Sequence, residues 1–341
     1  MTHSRLAQEI YVDSRRRRLA IAALLGSAAG LNVASERIFI VGVLGVFSYE
    51  EENDVELTAE LKRRGYVMGR NLRIVSRACG NELNRLDVLA AELVAMKVDL
   101  ILSTGGTPSA LAAKRATSTI PIVMSARDPV EDGLVRSLAE PGGNVTGSAD
   151  IGEELAIKRL ELLIEAARPR GPLGYLIHPR IQQRQSERKT IAAMEAYMAA
   201  RGGSLVVASV REVAQGDDIE YGLSLLTKQG VFAAVINNYS TIGAGTANRV
   251  AGLLLQHRMA SIMEARAYAL GGVLMTYSEP PKYSSLRSAG FIDRILRGAK
   301  PSDLPIERPD HFELVINLKT ATSLGITIPT PVLTRADEVI S

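Results

Sequence analysis

The stretch DLILSTGGTPSALAAKRATSTIPIVMSARDPV, residues 99–130, decides the fold. It contains two apolar runs, 100–102 and 120–124, separated by a segment of helical character that begins near Pro108. Short apolar runs that alternate with helices are typical of parallel β–α–β units. The first run ends in STGG, where small residues leave backbone N–H groups accessible to a guest. That guest is either a nucleotide phosphate on an enzyme or a small polar solute on a binding protein.

The composition is that of a soluble globular protein with enough residues for two domains. The chain has 341 residues, of which 46% are hydrophobic and 23% are charged. Its one cysteine, Cys79, cannot form a disulfide within the chain. The four histidines are scattered and lack the spacing of metal ligands. We therefore predict neither a metal site nor a cofactor.

Residues 1–35 are predicted to be a signal peptide. Arginines occupy positions 15–18, the apolar segment LAIAALLGSAAGL follows, and small residues lie near Ala34. A basic segment, a short apolar segment and small residues at a cleavage site are typical of export signals. The apolar segment is too short for a transmembrane helix, which needs about 20 residues. We therefore expect export to the periplasm. The alternative, a basic arm that binds nucleic acid, is disfavoured by the apolar segment.

The positive net charge lies in the same N-terminal segment. The chain carries a formal charge of +3, and residues 1–35 hold five arginines against Glu9 and Asp13. The rest of the chain is therefore formally neutral, which gives no electrostatic reason to expect a nucleic-acid partner.

Two halves of the chain repeat one pattern of strands and helices. Each half has four predicted strands at similar spacing, at 38–45, 72–78, 99–104 and 120–125 and then at 172–179, 204–210, 232–238 and 260–265. Such a repeat indicates two lobes of one topology. We predict an α/β fold with two Rossmann-like lobes, each with a parallel sheet.

The repeat stops after residue 265, and the remaining elements are expected to return to one lobe and then to the other. This pattern predicts a hinge of several chain crossings. The predicted division gives lobe 1 residues 36–148 plus about 267–305, and lobe 2 residues 149–266 plus about 306–341.

The segments that follow the strands carry the candidate ligand-binding residues. Ligands of parallel sheets bind beyond the carboxyl ends of the strands, near the N-termini of helices. These segments are rich in Ser, Thr and Asn with a few charges, which suits a solute with a carboxylate, an ammonium and an apolar side chain. They lie at 46–49, 103–107, 125–128, 237–241, 264–266 and 276–278.

Complete catalytic motifs are absent from the sequence. The turn at 103–107 lacks the Gly-Lys-Ser/Thr of a P-loop, the segment after Gly45 lacks the third glycine of a dinucleotide fingerprint, and no G-x-S-x-G elbow is present. Asp128 and Glu264 remain open to two interpretations. They are an acid and base pair of an α/β enzyme, or they hold an ammonium group or cap helices.

Several stretches resemble the periplasmic substrate-binding proteins of ABC transporters, in the group that includes tryptophan- and tyrosine-binding members. They span nearly all of residues 37–340, and the two nearest the C-terminus are distinctive. The stretches are LKRRGYVMGRNLRI, LAAELVAMKVDLILSTGGTPSALAAKRATSTIPIVM, DPVEDGLVRSLAEPGGNVTG, KRLELL, FIDRILRGAKPSDLPIERPDHFELVINLKTATSLGITIP and LTRADEVI.

The resemblance implies a type I periplasmic-binding fold, whose two lobes close on a solute and then dock on the membrane subunits of an ABC permease. We predict a monomer without enzymatic activity. The resemblance also implies that residues 104–107 hold a ligand carboxylate with backbone N–H groups. The ligand contacts that it carries over to this sequence are Ser48, Thr104, Gly105, Thr107, Asp128 and Tyr277.

Three ligand-facing segments depart from the family's pattern. The first loop reads GVFSYEEEND without the usual prolines, NNYST replaces a loop that contains Pro-Asp, and Arg127 stands where a smaller residue is common. These changes lead to the hypothesis of a more polar or more acidic guest. They add Asn237 and Asn238 to the candidates, together with Glu264.

The sequence thus predicts the extracytoplasmic solute-binding component of an ABC importer, which binds an amino acid or a related polar solute between its lobes. The alternative is an α/β enzyme that acts on a small carboxylated substrate.

Overall fold

A computed structural model describes residues 37–46, 55–80, 82–150, 152–212, 218–238 and 247–341. The described residues from Phe39 onward belong to one compact unit. The predicted signal peptide lies outside the described residues. Within the described ranges, no helix is both long enough and apolar enough to cross a membrane.

The first lobe is built on a five-stranded parallel sheet of order β2-β1-β3-β4-β5. Helices cover both of its faces: Leu89 and Ala113 pack on one side, and Leu61 and Phe291 pack on the other. Burial on both faces explains why its inner strands are continuous apolar runs. Its elements are β1 (Phe39–Gly45), α1 (Val55–Arg63), β2 (Leu72–Ala78), α2 (Leu86–Ala95), β3 (Leu100–Ser103), α3 (Gly106–Ala116), β4 (Ile122–Arg127), β5 (Val145–Asp150) and, from later in the chain, α10 (Pro281–Leu296).

The second lobe is built on a seven-stranded sheet of order β12-β11-β10-β9-β8-β6-β7. Its strands are parallel except at β10 and β11, which pair antiparallel. The elements are α4 (Gly152–Ala167), β6 (Leu173–Ile177), α5 (Pro179–Gln182), α6 (Gln185–Ala199), β7 (Leu205–Ser209), α7 (Ile219–Lys228), β8 (Ala233–Ile236), α8 (Ala247–Gln256), β9 (Ala260–Met263), α9 (Arg266–Leu270), β10 (Met275–Ser278), β11 (Glu313–Asn317), α11 (Leu318–Leu324), α12 (Thr330–Leu333) and β12 (Glu338–Ile340).

The chain crosses between the lobes three times, as the predicted multi-crossover hinge requires. It crosses between β5 and α4, between β10 and α10, and again after residue 307 on the way to β11. The third crossing leaves from the edge of lobe 1, where Glu307 exchanges backbone hydrogen bonds with Gly147 and Ala149. The predicted return to lobe 1 at about residue 267 comes later, because α9 and β10 stay with the second sheet and α10 is the first element to go back.

The carboxyl ends of the central strands of both sheets lie at the cleft between the lobes. Backbone hydrogen bonds extend these ends beyond the regular strands: the N–H of Thr104 donates to the carbonyl of Leu44 at 3.0 Å. In lobe 2 the N–H of Asn237 donates to the carbonyl of Leu176 at 2.9 Å. The polar residues that follow the strands are therefore fixed by the sheets themselves.

Gly147 provides a test of the packing of β5 against β4. Its φ is +135°, and an added Cβ would fall on the backbone of Met124. We predict that Gly147→Ala lowers the free energy of unfolding by more than about 2 kcal/mol. Gly143→Ala, four residues earlier, is the matched control because a Cβ there meets open space. Denaturant unfolding that gives equal values for the two variants would contradict this packing.

Candidate functional site

The turn between β3 and α3 requires its two glycines. Gly106 has a φ of +67°, which is left-handed backbone that glycine adopts without strain. A Cβ on Gly105 would lie 2.9 Å from the backbone N of Val46 and 3.0 Å from Oγ of Ser109. The backbone therefore approaches its neighbours closely, and α3 begins directly at the cleft with the positive end of its dipole.

Thr107 fixes the end of β4 against this turn. Its Oγ1 donates to the carbonyl of Arg127 and accepts from the N–H of Arg127, with both contacts at 3.0 Å. Thr107 is buried. Its hydroxyl group thus positions the backbone from which the Arg127 side chain extends.

A partly buried ion pair joins the two lobes across the cleft. Nη2 of Arg127, at the end of β4, lies 2.6 Å from Oε1 of Glu264, which follows β9. Arg159 of α4 holds the same oxygen from within lobe 2, with Nη1 at 3.3 Å, while its Nε donates to the carbonyl of Tyr277 at 3.0 Å. Two guanidinium groups on one carboxylate leave this cluster with a net positive charge.

The charged state of this cluster is stable at neutral pH. Burial raises the pKa of Glu264, but the guanidinium groups of Arg127 and Arg159 outweigh burial and hold this pKa below its ordinary value. Burial lowers the pKa of Arg127, but the nearby carboxylates, Glu264 first and then Glu187, outweigh burial, so that the pKa of Arg127 lies above its usual range.

A buried carboxylate lies on the lobe 2 side of the cleft. Glu187, in the first turn of α6, is 1% exposed, and its Oε1 accepts a hydrogen bond of 2.5 Å from the hydroxyl of Tyr175. Nδ2 of Asn237 donates to that hydroxyl at 3.3 Å. Burial and then the charge of Glu187 raise the pKa of Tyr175 well above its ordinary value. Tyr175 is therefore a neutral donor to the carboxylate of Glu187.

These side chains surround a cavity of about 170 Å³ between the lobes. Lobe 1 contributes the positive Arg127 to the lining, and lobe 2 contributes the acidic Glu187 and Glu264. The lining among the described residues contains no aromatic ring. The lining residues are Thr104, Gly106, Thr107, Ser125, Ala126, Arg127, Ile181, Arg184, Glu187 and Glu264. A cavity of this kind suits a small solute that carries both charges, because each charge of the solute finds an opposite one.

Thr104, Thr107 and Glu264, which the sequence singled out, are brought together at this cavity, and Gly105 lies in the turn beside it. Thr104 does not offer its backbone N–H to a ligand as expected, because that N–H is bonded to Leu44. Asn237 contacts the cavity only through Tyr175 and Glu187. Asn238 follows it directly after β8, and Ser48 lies outside the described residues.

Asp128 and Tyr277 have other surroundings. Both carboxylate oxygens of Asp128 accept from the N–H of Gly152, at 3.2 and 3.1 Å, so Asp128 caps α4 rather than acting as a base. Burial raises the pKa of Asp128, although the hydrogen bond from Gly152 opposes the rise. The ring of Tyr277 stacks on Phe312 at 5.5 Å and lines a separate cavity of about 210 Å³.

Arg159, Arg184 and Glu187 were not predicted from the sequence. Arg184 and Glu187 follow β6, an inner strand of lobe 2 whose carboxyl end is not among the candidate segments. The same strand-end rule applied to residues 178–187 would have included both. Arg159 lies inside a helix and carries no such signal.

The fold and the cavity define a two-lobed α/β binding protein. A family model described as ABC transporter substrate binding protein matches residues 54–340, and the chain belongs to this family. The resemblance seen in the sequence is thus confirmed. The family consists of substrate-binding proteins, so the enzyme alternative is not supported. Such proteins bind small solutes, work with ABC permeases and act outside the cytoplasm.

Individual relatives are similar to this chain in sequence and in fold. A tyrosine-binding protein of Clostridioides difficile (strain R20291) is 26% identical over 268 residues, which cover 78% of this chain and 74% of that protein. The structure of an ABC domain in complex with L-Trp from Streptococcus pneumonia is 26% identical, with a TM-score of 0.77 and coverage of 89% of this chain and 100% of that chain. A conserved domain protein from Vibrio cholerae shares the fold at 24% identity and a TM-score of 0.76. The match covers 89% of this chain and 99% of that chain.

The ion pair between the lobes predicts a pH dependence of stability. Because the pKa of Glu264 is depressed in the folded protein, its stabilisation is present above the unfolded-state pKa and is lost as pH falls through the folded-state pKa. We predict that Glu264→Gln costs about 3 kcal/mol at neutral pH, where it leaves two arginines without their carboxylate. The variant should lose less stability than the parent on acidification, as followed by urea unfolding.

Glu140→Gln is the matched control, because the Arg136–Glu140 pair is exposed. Equal stabilities of the two variants at neutral pH, or the same acid dependence in Glu264→Gln and the parent, would contradict the assignment.

Proposed function

We propose that this chain is the solute-binding component of an ABC importer, which closes its two lobes on an amino acid or a related zwitterion. The observation that carries the proposal is the cavity lined by Arg127 from lobe 1 and by the buried Glu187 from lobe 2. In this proposal the chain is exported by its N-terminal signal and acts in the periplasm as a monomer.

The charges of the cavity favour one orientation of the solute. The carboxylate is held near Arg127 and the N-terminus of α3, where a positive guanidinium and the helix dipole coincide. The ammonium is held by Glu187, a buried carboxylate that accepts a hydrogen bond from the neutral hydroxyl of Tyr175 and also interacts electrostatically with Arg127. A buried carboxylate of this kind is stabilised by a cation.

The relatives support the amino-acid class. The clostridial relative is named for tyrosine, and the streptococcal structure holds L-Trp. Both ligands share the α-carboxylate and the α-ammonium that the cavity would recognise. The polar lining favours a more polar side chain than theirs.

The binding energy of the solute would drive closure of the two lobes. A solute that touches both lobes stabilises the closed form by its differential affinity for that form. Residues of lobe 1, such as Thr107, and of lobe 2, such as Glu187, line the same cavity, so the full set of contacts exists only when the lobes meet. The closed form is then the one that the permease would recognise.

Calorimetric titration with a panel of amino acids tests this function. The panel includes tryptophan, tyrosine, asparagine, glutamine, aspartate and glutamate, each paired with its analogue that lacks the α-amino group. We predict that Glu187→Gln weakens amino-acid binding about 10- to 100-fold, because a charged hydrogen bond is lost. Binding of the desamino analogues should change little.

Glu195→Gln is the control, since Glu195 is exposed on the same helix. Equal weakening of the amino acids and their desamino analogues would remove Glu187 from ammonium recognition. Chemical conversion of the bound solute would contradict the solute-binding function and indicate an enzyme. Tight binding of tryptophan alone would contradict the hypothesis of a more polar solute.

A further inference from the structure

Lobe 1 supplies the N-terminal cap of a helix in lobe 2. The segment between β4 and β5 carries Asp132, whose side chain is only 4% exposed. Its Oδ2 accepts from the hydroxyl of Ser186 at 2.9 Å, and its Oδ1 accepts from the N–H of Ser186 at 3.4 Å. Asp132 also pairs with Arg184. Ser186 lies in the first turn of α6, on the opposite side of the cleft.

The N-terminus of α6 receives its carboxylate cap from the other lobe. Its N-cap residue is Arg184, whose side chain forms no capping hydrogen bond. A carboxylate at a helix N-terminus is the preferred cap, because it accepts from free N–H groups and complements the dipole. The carboxylate that caps α6 is therefore provided by Asp132 of lobe 1.

Asp132 is held firmly to lobe 1. Nζ of Lys114, on α3, donates to the carbonyls of Gly133 at 2.6 Å and Leu134 at 3.0 Å. The side chain of Leu134 is buried in the lobe 1 core. The carboxylate thus moves with lobe 1 and reaches α6 only when the lobes are together.

The cap is one residue away from the solute cavity. Ser186 contacts Asp132, and the next residue, Glu187, lines the cavity. Closure that seats Asp132 on α6 therefore also sets the position of Glu187. A second ion pair nearby, Glu131–Lys189 at 2.6 Å, is partly exposed and contributes little.

From these contacts we infer that Asp132 is a positioning residue, an interlobe latch that caps α6 and sets the equilibrium between open and closed lobes. Asp132 does so without lining the solute cavity. The expected consequence, slower release of solute, rests on the proposed function. The latch itself is a property of the ligand-free protein.

Distance measurements between labels on the two lobes test the latch. Val88→Cys in lobe 1 and Phe232→Cys in lobe 2 provide exposed labelling sites, at 64% and 54% exposure. Cys79 is buried, and burial raises its pKa to about 11, which keeps it unreactive. Asp132→Asn, Ser186→Ala and their combination are compared in this background, with Glu140→Gln as the control on the same lobe 1 segment.

We expect each single variant to shift the ligand-free protein towards longer distances and to weaken solute affinity about 5- to 30-fold, as loss of a helix cap with its charge pair implies. The effect of the double variant on solute affinity should be smaller than the sum of the two single effects, expressed as free energies, because the two residues share one interaction. Unfolding curves verify that each variant is folded. If Asp132→Asn does not fold, Ser186→Ala tests the latch by itself.

Unchanged distances in the folded variants, or strictly additive effects, would overturn the latch. A shift in distances without any amino-acid binding would keep the latch and reject the proposed solute. Amino-acid binding with unchanged distances would reject the latch alone.

Discussion

The rest of the site depends on a partly buried carboxylate that arginines of both lobes contact. Glu264 lies 2.6 Å from Arg127 of the other lobe and 3.3 Å from Arg159 of its own. Burying such groups is costly, and the cost is offset only when partners and geometry are in place. The contact therefore exists only with the lobes together, and it leaves one positive charge at the cavity. A buried carboxylate on the opposite side, Glu187, supplies the matching negative charge.

Chain topology explains why these groups meet. Arg127 ends β4, Glu264 follows β9, and Glu187 follows β6, so all three stand beyond the carboxyl ends of parallel strands. Two lobes wound in the same way present those ends to one cleft. In the proposed function, binding energy drives closure, because the solute would bridge groups that belong to different lobes.

The sequence predicted the fold well where strands are buried on both faces. The runs that became β1, β3 and β6 are continuous and apolar, and they begin and end within a few residues of the expected bounds. Strand β5 was missed because NVTGSAD has no apolar run, and its Gly147 is required by contact with Met124 instead. Strand β12 has only three residues and pairs at an edge. Such elements are set by tertiary contacts rather than by local pattern.

The site was predicted in part, since strand ends are visible in sequence and side-chain partners are not. Thr107 and Glu264 reach the cavity, but Asp128 caps a helix and Tyr277 stacks on Phe312. A crystal structure of the protein with its solute tests the central claim most directly. The account predicts a zwitterion between the lobes, with its carboxylate at Arg127 and its ammonium at Glu187. A solute held by one lobe alone, or one bound away from both residues, would contradict it.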